Sequence, residues 1–276
     1  MNATYTATDS PPVVLIFGPF DPSGGGNLPA DAVTCARLGC HPGAALTGLL
    51  VQDTAGLQEI HPVAPEVLDD QARCLLEDMR VQAFKVGPLY TTESISMVAQ
   101  IAADYSDVPL VLHLSRLPDD HAALTDPFES EDVMLALCEL LLPQTDLLVA
   151  DHALLTRLHG SGLFDHLGVD TAQEAFFGYG ADWILAAATP VRSGHYQYHL
   201  QDTDGSTHTW PGPAPGTRLA DTDGPLTCAI TCNLAHGMAM PAAVQQAITY
   251  ANRQLAHTFQ PGMGLRLFNR THETDS

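Results

Sequence analysis

Six short apolar runs, at residues 13–17 (VVLIF), 44–50, 83–86, 109–114, 146–149 and 183–188, recur along the chain with helix-period segments between them. Runs that stay apolar on successive residues suit strands buried on both faces of a sheet. Between them, residues 65–79 place Val67, Leu68, Ala72, Leu75, Leu76 and Met79 on one helical stripe, with Pro65 suited to a first turn. Residues 93–105 and 131–142 show the same period, and Thr171 with Glu174 forms a capping-box pattern. Strands that alternate with helices are joined by crossovers, which predicts an α/β fold with a mostly parallel sheet covered by helices.

The pattern changes near the end. Residues 195–200 and 206–210 flank Asp204-Gly205 and read as an antiparallel hairpin added to the sheet. A Pro/Gly-rich passage, 211–225, then leads into two helices expected at 226–238 and 241–257. No internal repeat and no break in composition divides the 276 residues, of which 45% are apolar. One domain, 13–268, is expected, with a disordered tail at 1–12 and a short tail at 269–276.

Charge and cysteine content exclude several classes of function. There are 32 acidic and 11 basic residues, a formal net charge of −21, and Lys85 is the only lysine. Such a surface has almost nothing with which to neutralise phosphates, so neither nucleic acid nor an anionic membrane is an expected partner. The same imbalance suits a salty cytosol and by itself names no ligand. The six cysteines lack the close CxxC spacing of a zinc or redox site, so reduced thiols and no resident metal are expected. With no basic leader and no run of eighteen apolar residues, a cytoplasmic location is expected.

Directly after the first apolar run comes GPFDPSGGGNLPAD (18–31), whose three consecutive glycines suit a loop wrapped closely around a ligand, often an anionic one. GLLVQDTAGLQEI (48–60) and FKVGPL (84–89) follow. In order and spacing these three stretches resemble the hydroxymethylpyrimidine and phosphomethylpyrimidine kinase family of thiamine biosynthesis, whose blocks read AGxDxSGGAGxxAD, ALxxQNTxGV and KIGML. The resemblance implies a ribokinase-like three-layer α/β/α sandwich and a homodimer. It also places Asp31 and Gln52 on the acid and amide that read the aminopyrimidine, and Asp21, Ser23, Gly24 and Gly25 on the ligand loop. An aminopyrimidine edge sets donors beside acceptors, which a carboxylate and a carboxamide read together. Taken alone, Asp31 is equally a first-turn helix acid, Gln52 a loop amide, and the glycines simply what the turn needs.

Departures from the family pattern fall on the phosphoryl-transfer chemistry. The family's GTGC turn, an anion hole of bare amides, becomes Gly224, Pro225, Leu226 and Thr227 in a gapless reading, and one inserted residue restores Cys228. Proline has no N–H to offer. Cys228 stands four residues from Cys232 on a helix, so it reads either as the family's base or as a small core residue. A metal-side acid becomes His113; the nucleotide-side motif keeps Asp151 but has Leu154 for its Glu; a lysine becomes Ala187. Pro19, Phe20 and Pro88 alter the pyrimidine side, where Phe20 is large enough to fill the pocket. Three readings follow. The chain is a pyrimidine-binding or regulatory homologue that has lost most of its kinase chemistry; or an active kinase with a rearranged site, using ATP, Mg²⁺, Cys228 and Asp151; or a structural dimer partner that binds nothing.

Overall fold

The computed structural model describes residues 10–115, 127–213 and 219–271. Residues 1–9 and 272–276 of the two expected tails lie outside the described residues, so the disorder expected of the first is not addressed. Residues 269–271 stay against the domain: Asn269 N–H donates to His257 O, and the Arg270 guanidinium donates to Gly24 O and Gly25 O.

Among the described residues, nine strands form one sheet: β1 (Val13–Phe20), β2 (His41–Gln52), β3 (Leu57–Pro62), β4 (Val81–Val86), β5 (Leu110–Leu114), β6 (Leu147–Asp151), β7 (Trp183–Arg192), β8 (His195–Asp202) and β9 (Thr207–Gly212). Their spatial order is β3-β2-β1-β4-β5-β6-β7-β8-β9. The six central strands, β2 to β7, are parallel, as the alternation of apolar runs and helices requires. Both edges are antiparallel: β3 returns along β2, and β8 and β9 continue from β7 as a meander.

Among the described residues, eight α-helices cover the sheet: α1 (Asn27–Arg37), α2 (Pro65–Asp78), α3 (Thr92–Asp104), α4 (Pro127–Ala136), α5 (His152–Gly160), α6 (Ala172–Gly178), α7 (Gly224–Ala235) and α8 (Met240–Leu255). Alternation along the strands decides the layers. Leu15 and Phe17 pack with Phe84, Leu112, Ile95, Leu141 and Phe176 on the face covered by α2 to α6. Val14 and Ile16 turn to the other face, against Cys35 of α1 and Cys228 of α7, while Val111, Val149 and Leu185 meet Ile230 and Val244 of α7 and α8. This is the three-layer α/β/α sandwich expected.

Several boundaries differ from the sequence reading. β3, LQEIHP, escapes it because only Ile60 is fully buried, Leu57 is half-buried and the other four residues are polar or proline. β2 runs longer than the apolar block and exposes Leu49 and Val51, so it is not buried on both faces. The expected helix over 131–142 begins at Pro127 and loosens into a π turn at Leu137–Leu141, then a 3₁₀ turn at Leu142–Gln144. α7 starts at Gly224, two residues early, because a first-turn proline has no intrahelical N–H to lose.

The chain turns one way from β1 to reach β2 and the other way to reach β4 and the strands beyond. At such a reversal the loops leaving the carboxyl ends of the strands diverge and leave a crevice.

Candidate functional site

That crevice is a cavity of about 450 Å³. Its lining comes from the carboxyl ends of successive strands: Asp21 beyond β1, Gln52 at the end of β2, Pro88 and Tyr90 beyond β4, His113 and Ser115 at β5, and Asp151 at β6. The stretch before α7 adds Asp221, Thr222 and Asp223 as the far wall.

The Gly-rich loop is held from inside. The Asp21 carboxylate accepts from Ser23 N–H at 2.8 Å, Ser23 Oγ at 2.7 Å and Gly26 N–H at 2.9 Å. Gly24 N–H donates to Asp21 O and Gly25 N–H to Ser23 Oγ. Gly24 takes φ = 67°, the left-handed turn open to glycine. All three glycine amides are therefore engaged within the loop, and the anionic ligand suggested by the glycines finds no free donor among them. Asp21 organises this loop, and Gly24 and Gly25 supply its turn and the carbonyls that Arg270 holds. Phe20 is 48% exposed and is not among the lining residues, so it does not plug the cavity.

Gln52 lines the cavity and Asp31 does not. Asp31 lies on α1 one turn beyond Asn27, which does reach the cavity, and is buried with its carboxylate accepting from Lys85 Nζ at 2.6 Å. Burial pushes the Asp31 carboxyl up to about 8, although the Lys85 charge pulls it down. The expected grouping of Asp31 with Gln52 around one cavity is not formed, because the only lysine of the chain takes the acid instead. At the end of β5, His113 is buried with Nε2 lacking a hydrogen-bond partner. Burial, and then the Lys85 charge, hold its pKa down at about 4 against the pull of Asp221, so the ring is neutral.

The far wall is built of carboxylates. Gly224 N–H, the first amide of α7, donates to Asp221 Oδ1 at 2.9 Å, and a Cβ at Gly224 would collide with that same carboxylate. Pro225 offers no N–H, and Thr227 sends both its N–H and its hydroxyl to Asp223 O at 2.9 Å. Thr227 and Cys228 are wholly buried and neither lines the cavity, so neither candidate for the family cysteine reaches it. Asp151 caps α5 by accepting from Ala153 N–H at 2.7 Å, and Leu154 beside it is apolar lining. Ala187 is in the core. Among the described lining residues there is no lysine, and Arg157 is the one arginine.

Asp223 carries the cost of this arrangement. Burial, followed by repulsion from Asp151 and Asp221, pushes its carboxyl up to about 7. A group whose folded pKa is raised above its unfolded value favours folding while protonated, so stability falls as pH rises from about 4 to 7. Asp223→Asn removes the charge, and thermal melting should show it gaining about 2–4 kcal/mol over the parent at pH 8, with the gap closing toward pH 4. An equal melting difference at both pH values would refute the assignment.

Sequence reasoning missed Asp221, Asp223, Asn27 and Arg157 as lining groups. The DTD at 221–223, just before a helix, was available as a cluster of acids, but it reads most simply as capping residues. Near the end of the chain, Gly264 N–H and Leu265 N–H donate to Thr54, clasping the turn beyond Gln52.

The family model for phosphomethylpyrimidine kinase matches residues 21–269. A hydroxymethylpyrimidine/phosphomethylpyrimidine kinase of Streptomyces coelicolor is 29% identical over 261 residues, 93% of each chain, and one of Mycobacterium bovis is 29% identical over 265 residues, 92% of each. In fold, the ADP complex of Bacillus subtilis pyridoxal kinase superposes with a TM-score of 0.78 at 17% identity, over 95% of this chain and 98% of that one. Phosphomethylpyrimidine kinase from Clostridium difficile does so with a TM-score of 0.70 at 18%, over 88% and 99%.

Proposed function

The chain belongs to the phosphomethylpyrimidine kinase family, and from that premise we propose that it is a small-molecule-binding or regulatory member, taking an aminopyrimidine-like ring in the cavity without efficient phosphoryl transfer. One observation carries the reading: the first amide of α7 is tied to Asp221, the next residue is Pro225, and three carboxylates face the space where a phosphoryl group would be held. Transfer needs positive groups or bare amides on the migrating phosphoryl. Asp151, Asp221 and Asp223 offer the oxygen donors that suit Mg²⁺, but the triphosphate that Mg²⁺ accompanies meets negative charge and no lysine. The ring side is better supplied, with the Gln52 amide, the Tyr90 ring and the neutral His113.

Calorimetric titration with hydroxymethylpyrimidine, pyridoxal and MgATP tests this. Saturable binding of hydroxymethylpyrimidine, with no heat from MgATP, is expected. MgATP binding as tight as that of the ring would defeat the reading, and silence from all three ligands would leave the chain a structural partner only. A homodimer remains part of the proposal; Phe20, Leu49 and Val51 expose apolar surface on neighbouring positions of β1 and β2, which supports it.

One feature favours a second reading, an active kinase with a moved base. Asp223 lines the cavity, and a carboxyl held near 7 is suited to accept a proton from a substrate hydroxyl. Under that reading Asp223 replaces Cys228, which is sealed in the core.

A further inference from the structure

Four of the six cysteines converge at one place, away from the cavity. Cys35 Sγ lies 3.5 Å from Cys228 Sγ and 3.6 Å from Cys232 Sγ, and the three sulfurs are all within 4.8 Å of one another. All three are buried, with Cys40 beside them. Cys40 Sγ is 3.8 Å from Cys232 O and interacts with the Cys232 thiol. Cys74 and Cys138 stand apart from this group, which comes from separate segments: the end of α1, the entry to β2, and one face of α7.

We propose that Cys35, Cys40, Cys228 and Cys232 form a buried thiolate site for zinc that pins α1 and the start of β2 to α7. Tetrahedral zinc holds sulfur at about 2.3 Å, which sets the ligand sulfurs about 3.8 Å apart. The Cys35–Cys228 and Cys35–Cys232 separations are close to that figure and far beyond a disulfide bond of about 2.05 Å, while the Cys40 sulfur lies outside the 4.8 Å group. A sulfur-only donor set selects a soft, thiophilic cation over Mg²⁺ or Ca²⁺. Cys228 and Cys232 are one helical turn apart, so both thiols project from the same side of α7. Cys40 closes the fourth corner by giving up its contact with Cys232 O. On binding, each thiol releases its proton to solvent, four S–Zn bonds form, and nothing is oxidised or reduced.

His236 Nε2 lies 3.5 Å from Cys40 Sγ and 3.1 Å from Leu38 O, an outer contact able to orient the ligand. His236 is exposed, which gives an ion a path from solvent. Spacing alone had suggested only core packing for Cys228 and Cys232, since the pairs read C-x₄-C and C-x₃-C rather than C-x₂-C.

The full chain, purified reduced and without chelator, should carry about one zinc by elemental mass spectrometry. Exchange with Co²⁺ should give sulfur-to-cobalt charge transfer and the intense visible bands of tetrahedral coordination. Cys40→Ser, at the edge of the group, should weaken zinc more than about 100-fold, beyond what loss of an outer contact costs. Cys74→Ser should leave metal content and spectrum unchanged. Chain that takes up neither zinc nor cobalt, or that yields a disulfide among these cysteines by mass spectrometry, overturns the site. So does a cobalt spectrum unaltered in Cys40→Ser. None of these readouts depends on ligand binding in the cavity.

Discussion

Given MgATP and hydroxymethylpyrimidine, the chain should release ADP at least about 10³-fold more slowly than the Streptomyces coelicolor relative under the same conditions, because losing even one oxyanion-type donor costs about 10²–10³ in rate. Under the proposed reading the loss is compound. Gly224 N–H is engaged by Asp221, Pro225 has no N–H, Ala187 brings no charge, and Asp223 stands where negative charge would develop. Such losses need not multiply, since groups that act as a unit fail together. For the same reason, Pro225→Thr with Leu226→Gly should restore little. Those two substitutions leave the Gly224 amide on Asp221 and the wall anionic, so recovery needs Asp221→Asn, Ala187→Lys and Leu154→Glu as well. A coupled ADP-release assay reads each variant. Turnover within tenfold of the relative, abolished by Asp223→Asn and untouched by Cys228→Ala, would select the active kinase with a moved base.

Order along the chain made the fold legible. Each apolar run from Val13 to Ala188 became a parallel strand; in β1, β4, β5, β6 and the first half of β7 double coverage requires apolar residues at successive positions, whereas β2 exposes Leu49 and Val51. β3 was illegible for the opposite reason: an edge strand with one buried residue has no periodic signature. The site was half legible. Asp21, Gln52 and Asp151 fall on the cavity because each follows directly from the end of a strand, and strand ends are readable. Asp31 was misplaced because its partner, Lys85, is 54 residues away on β4, and pairing across a sheet leaves no local trace. Cys228 was ambiguous between a base and a core residue. The start of α7 at Gly224 decided it, since one helical turn later the side chain faces Cys35 across the helix–helix contact.

The Asp31–Lys85 pair should yield the largest stability change in the domain, and an asymmetric one. Both groups are buried and in contact at 2.6 Å, so removing either strands the other without water. The two cases differ because a carboxyl relieves its burial by keeping a proton. Burial pushes the Asp31 carboxyl up even against the Lys85 charge, so in Lys85→Met it relieves its burial by taking up a proton. Lys85, whose pKa burial pulls down but whose partners, led by the Asp31 charge, raise it on balance, must shed its proton far below its usual range in Asp31→Asn or remain charged in the core. Asp31→Asn should therefore lose about 3–5 kcal/mol, roughly 10 °C in Tm for a chain of this length, and Lys85→Met clearly less. The pair Asp31→Leu with Lys85→Met should melt near the parent, because a buried ion pair exchanged for apolar side chains of similar size is often neutral. Differential scanning calorimetry at pH 7 separates the outcomes, and a double variant less stable than Asp31→Asn would show that the pair stabilises the core by more than mutual neutralisation.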